Sequence, residues 1–166
     1  MFPNFLFVAL AALVPLVMGF LYYSPKTFGN AWMKSAGLTM EMLEKSNKVL
    51  LFTSSYVLSF ILSFFLFTLV VHQTDYYSLF VAEPGFGEEG SAIMTQIDAF
   101  MGQYGEYYRT FKHGALHGGL VGGFIGLPII VINGLFETRG LKYGFINAGY
   151  WIITLSIMGG ILCQWA

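Results

Sequence analysis

The chain has 166 residues, of which 56% are hydrophobic and only 10% charged, against about a quarter charged in an ordinary soluble domain. Such a chain cannot cover a water-facing surface, and its length suits one domain over residues 1–166. A net charge of −1 with scattered basic residues excludes the electrostatic footprint of a nucleic-acid binder, and the single cysteine, Cys163, excludes an internal disulfide framework.

The first apolar run, residues 5–23, carries no charge and matches the roughly 20 residues needed to cross a bilayer. No basic residue precedes it and it is too long for the apolar core of a signal peptide, so it predicts a membrane span. Pro15 near its middle lacks an N–H and crowds the Ala11 carbonyl, which predicts a kink. Pro25, Gly29, Asn30 and Gly37 then mark a short polar connection. Within it, Thr39 followed by Glu41 and Glu44 predicts a short surface helix, because a threonine oxygen and early carboxylates satisfy free N–H groups at a helix start.

A second span is predicted over residues 49–71. Ser55, Ser59 and Ser63 recur every four residues and so share one face, a small-residue seam for helix packing. Residues 72–112 hold Asp75, Glu83, Glu88, Glu89, Asp98 and Glu106 against Arg109 and Lys112, and must lie outside the bilayer. The turn formers of residues 83–90 predict a loop. From Ser91, an apolar stripe of Ile93, Ile97, Phe100, Tyr104, Tyr107 and Phe111 predicts an amphipathic helix leading into the third span.

That span, residues 114–135, has a ridge of Gly114, Gly118, Gly122 and Gly126, widened by Gly119 and Gly123, along which another backbone can approach. It is expected to be the most buried helix, with a kink at Pro128 that loosens the Phe124 carbonyl. The fourth span, residues 143–165, follows a connection too short for anything but a tight helical hairpin. The predicted fold is therefore all-α: an integral membrane bundle of four transmembrane helices with an additional amphipathic helix in the long second connection.

Lys26, Lys34, Lys45, Lys48, Arg139 and Lys142 fall on one side of this arrangement, and Arg109 and Lys112 on the other. The positive-inside rule then places the first and third connections in the cytoplasm, and both termini and the 72–112 segment outside.

Few residues suggest chemistry. His113 and His117 lie one helical turn apart and are candidate metal ligands, but the glutamate that a zincin helix carries after its first histidine is replaced by Gly114, and no further ligand is identified. No metal is assigned on this pair, since interfacial hydrogen bonding accounts for it as well. Asn133, Glu137, Arg139 and Asn147 cluster around the last hairpin and form either a polar clasp or, with His117, a pathway for an ion or solute. No catalytic triad, phosphate loop or dinucleotide fingerprint is present, so no catalytic residue and no cofactor is expected.

The stretch Gly19-Phe20-Leu21-Tyr22-Tyr23-Ser24-Pro25, then Phe28-Gly29-Asn30-Ala31-Trp32-Met33 and Gly37-Leu38-Thr39, continues in the C-terminal half with Asn133-Gly134-Leu135-Phe136-Glu137 and Ile146-Asn147-Ala148-Gly149-Tyr150-Trp151. Together these resemble the bacterial membrane proteins grouped as domain of unknown function 1761 (DUF1761). The resemblance implies a small multi-helix membrane protein and supplies no catalytic residues. The expected function is that of a non-enzymatic protein of the bacterial inner membrane, acting by helix packing in the lipid bilayer as a homo-oligomer or with other membrane subunits. The alternative is a small transporter or channel using the kinked spans.

Overall fold

The computed structural model describes residues 2–166, and among them every regular element is a helix. Four helical stretches are long and apolar enough to cross a membrane: Phe5–Tyr22, Lys48–Val70, Phe111–Phe136 and Gly140–Trp165. They coincide with the predicted spans to within a few residues.

The first span is two helices, α1 (Phe5–Ala11) and α2 (Val14–Tyr22), with Pro15 in the first turn of α2. The break falls where a proline requires it: the Leu13 N–H turns back to Leu10 O at 3.1 Å, a tightened turn ahead of the residue that cannot donate. In the first connection, α3 (Gly29–Ala36) has no counterpart among the predicted elements, whereas α4 (Met40–Glu44) starts at Thr39, whose hydroxyl accepts the Met42 N–H at 3.3 Å. The sequence signal for α3 is its ending. Gly37 takes a left-handed φ of 66° there, and both it and Leu38 donate to Met33 O.

The second span, α5 (Lys48–Val70), is unbroken, and Asn47 caps it by accepting the Leu50 N–H at 3.0 Å. The long connection carries α6 (Gln73–Ser78) and α7 (Ala92–Tyr104), the latter capped by Ser91. The predicted amphipathic helix is thus present but does not run into the third span. It stops at Tyr104, the chain turns through residues 105–109, and Thr110 caps a new helix, α8 (Phe111–Val121). Periodicity carries on through Tyr107 and Phe111, but Tyr108 at φ 61° interrupts the backbone.

At Pro128 the chain widens into a π turn over Gly122–Gly126, with Leu127 N–H reaching Gly122 O, before α9 (Leu127–Phe136) resumes. A π turn takes in an extra residue and re-satisfies the backbone ahead of a proline. It also rotates everything beyond it. Gly114, Gly118 and Gly122 face the fourth span, α10 (Gly140–Trp165), whereas Gly126 has turned off the ridge and meets only Val121 O, at 3.9 Å.

The expectation that the third span is the most buried is overturned: 11% of its apolar window is buried, against 50% for the fourth span. Glycine makes a narrow contact, and one stripe of it buries little of its own helix. The fourth span packs against all three others and is the axis of the bundle. Val8, Ala11, Leu66, Phe67, Val70, Leu155, Met158 and Leu162 interlock spans one, two and four. In lipid this interlocking contributes dispersion and close fit, since apolar surface outside the core is covered by acyl chains anyway. Ser59 and Ser63 of the serine seam are buried, and Ser55 is half-buried.

Contacts at the two ends group the connections as predicted. Phe7 stacks on Trp165 at 6.2 Å, and Gln164 Oε1 accepts the Phe111 N–H at 3.0 Å, so both ends of the chain and the 72–110 segment share one end of the bundle. Arg139 donates to Ala36 O at the other end, joining the first and third connections.

Candidate metal centre

All three histidines of the chain meet at one point. His113 and His117 project from successive turns of α8, the start of the third span. His72 comes from the end of the second span, where Val71 leaves helical geometry (φ −113°, ψ 92°) and turns the chain toward α8. Thr74 secures this turn by donating its hydroxyl to Val71 O at 2.7 Å. Ring centroids lie 5.1 Å apart for His72–His113, 4.7 Å for His72–His117 and 4.4 Å for His113–His117. One ligand nitrogen from each can be chosen such that all lie within 4.8 Å of one another.

The surroundings hold these rings in place. The Tyr108 ring tilts over His113 at 5.2 Å, and the left-handed Tyr108 backbone is fastened by Cys163 Sγ and the Thr110 N–H, which donate to its carbonyl at 3.4 and 2.8 Å. Gln73 Nε2 donates to Tyr107 O at 2.9 Å, tying α6 to the same turn, and Arg109 Nη2 donates to Ala166 O at 3.2 Å. His72 is exposed and the other two histidines are half-buried, so the cluster opens on one side. His113 Nε2 is buried and has no hydrogen-bond partner. A buried polar atom without a partner is costly, and here it belongs to an imidazole within the cluster.

Three imidazole donors suit zinc, copper, nickel or iron. For tetrahedral Zn²⁺, with Zn–N bonds of about 2.0–2.1 Å, ligand nitrogens sit about 3.3 Å apart. The spacing here is looser by up to about 1.5 Å, a difference that rotation of the imidazole side chains can close, and the residues fit such a cation. The cluster holds no carboxylate. His72 is the ligand that the sequence pattern does not provide. Its only signal is topological: it ends one span on the side where its antiparallel neighbour begins.

The polar groups of the last hairpin behave differently. Glu137 and Arg139 pair at 3.1 Å, and Arg139 also lies over the Tyr143 ring at 5.3 Å. Asn147 donates to Tyr143 O at 2.8 Å and accepts the Tyr23 hydroxyl at 2.8 Å. Asn133, Glu137 and Asn147 line one small cleft with Trp151. Arg139 links this hairpin to α3 through its bond to Ala36 O, while Asn147 bonds Tyr23 and Tyr143 and no hydrogen bond joins it to the Glu137–Arg139 pair. His117 is not among them: sixteen residues of helix separate it from Asn133, about 24 Å along the axis. The structure does not bring the suggested pathway residues together.

No curated protein and no solved structure matches the chain. A family described as "Protein of unknown function (DUF1761)" matches residues 6–163, nearly the whole chain and every element of the fold described above. An all-helical bundle with four membrane-length helices, matched from its first span to its last, belongs to the DUF1761 family.

Proposed function

We propose that this chain is a non-enzymatic membrane protein that binds a divalent transition-metal cation, Zn²⁺ in the first instance, through His72, His113 and His117. The observation that carries this reading is the convergence of the three imidazoles, with ligand nitrogens within 4.8 Å of one another. The buried, unpartnered His113 Nε2 supports it. A bound cation ties the end of the second span to the start of the third and leaves a fourth coordination position toward the open side, as three-ligand zinc sites do.

We infer that the protein resides in the bacterial inner membrane with the histidine end outside, because six of the eight lysines and arginines lie at the opposite end. The metal reading rests on a more specific observation than either packing or transport. The glycine ridge, which suggests assembly with other copies or subunits, faces the fourth span of the same chain, and the polar groups suggested for a pathway lie at opposite ends. The test is equilibrium dialysis of metal-stripped protein in mild detergent against Zn²⁺, followed by elemental analysis. One equivalent is expected, with affinity falling at least about tenfold in His72→Ala and in His117→Ala. Affinity unchanged in both variants sinks the proposal.

A further inference from the structure

A cavity of about 850 Å³ opens between the first, second and fourth spans, at the end of the bundle away from the histidines. It exists because the first span bends at Pro15, and beyond the bend Gly19 contributes no side chain to fill the space. Its walls are Gly19, Ser55, Ser59 and Trp151, and its mouth is formed by Trp32, Ser46 and Lys48. Along the second span the lining runs from Lys48 to Leu62, about 21 Å of helix, or some two-thirds of the hydrocarbon thickness. The depth therefore suits one acyl chain entering from the headgroup boundary.

The mouth supplies the complement to a charged head. Lys45 is paired with Glu41 at 2.7 Å, whereas Lys48 has no carboxylate partner among the described residues. Its ammonium is held by Leu43 O and Ser46 Oγ, two acceptors for three donors, which leaves an N–H for a ligand. Lys26, Lys34 and Lys142 belong to the same end of the bundle, and lysines at a membrane boundary attract anionic lipid heads. We infer that this cavity is a binding site for one anionic phospholipid, an acyl chain lying between spans one and two and the phosphate on Lys48.

The test is native mass spectrometry of the full chain, delipidated in mild detergent and titrated with phosphatidylglycerol or with phosphatidylcholine of the same chains. One phosphatidylglycerol adduct is expected, preferred about fivefold, the contribution of one lysine beside an anionic surface. Lys48→Gln should remove the preference. Gly19→Leu should weaken the adduct for both lipids; a Cβ at Gly19 would meet nothing within 4 Å and leucine favours helix, so this variant narrows the cavity without obstructing folding. Unselective adducts that neither variant changes overturn the inference. So does a dimer that Gly19→Leu dissolves, which gives the cavity to a second copy, or an adduct of either lipid that Gly19→Leu leaves at full strength.

Discussion

Gly118→Ala is the sharpest perturbation of the bundle. A Cβ at this position would sit 2.0 Å from Leu155 O and 2.7 Å from Leu155 C, both main-chain atoms that no rotamer change can move. Restoring an ordinary 3.4 Å contact requires the third and fourth spans to part by more than 1 Å there. A gap of that size forfeits up to half of each dispersion contact along the ridge. Gly114, which approaches Gly159 O as closely, shares the loss. We expect a cost of about 3 kcal/mol, at the upper end for overpacking a tight interface, and a Tm lower by roughly 6–12 °C. Gly123→Ala is the control: a Cβ there meets nothing within 4 Å, so its Tm should hold or rise by a few degrees. Scanning fluorimetry in one detergent measures both. Equal melting of the two variants would refute the claim that the ridge is occupied by the fourth span.

Tyr150→Phe removes the buried hydroxyl that donates to Pro15 O at 2.7 Å, and should lower unfolding free energy by about 1 kcal/mol in a denaturing-detergent titration. Arg139→Ala loses the donor to Ala36 O and a half-exposed pair with Glu137 that is worth little once screened by solvent; faster amide exchange in α3, with little change in Tm, is the expected readout. Zinc affinity should fall as the solution is made acidic, because protons compete with the metal for imidazole nitrogen.

The spans are legible in the sequence because hydrocarbon thickness sets their length and any charge inside them is conspicuous. The hairpin joining spans three and four and the grouping of the connections follow from loop length alone. What the sequence conceals depends on rotation and on contacts distant in the chain. Gly126 continues the four-residue spacing of Gly114, Gly118 and Gly122, yet the π turn carries it off their face, since periodicity assumes a regular helix. Glycine content points to the third span as the buried one, although in a bundle burial falls to the helix that every other one touches. The His113–His117 pair is visible as an i, i+4 spacing, but His72 joins it only through tertiary packing of the second span against the third. The polar groups Glu137, Arg139 and Asn147 are close enough in sequence to be seen together, whereas the bonds of Asn147 to Tyr23 and of Arg139 to Ala36 are not.

The proposed metal centre can be examined by X-ray absorption at the zinc K-edge, on the protein loaded with one equivalent of Zn²⁺. Coordination by His72, His113 and His117 gives a shell of imidazole nitrogens at about 2.0–2.1 Å, three per zinc, reduced in His72→Ala. A shell of oxygen alone, or a sulfur at about 2.3 Å from Cys163, would contradict it.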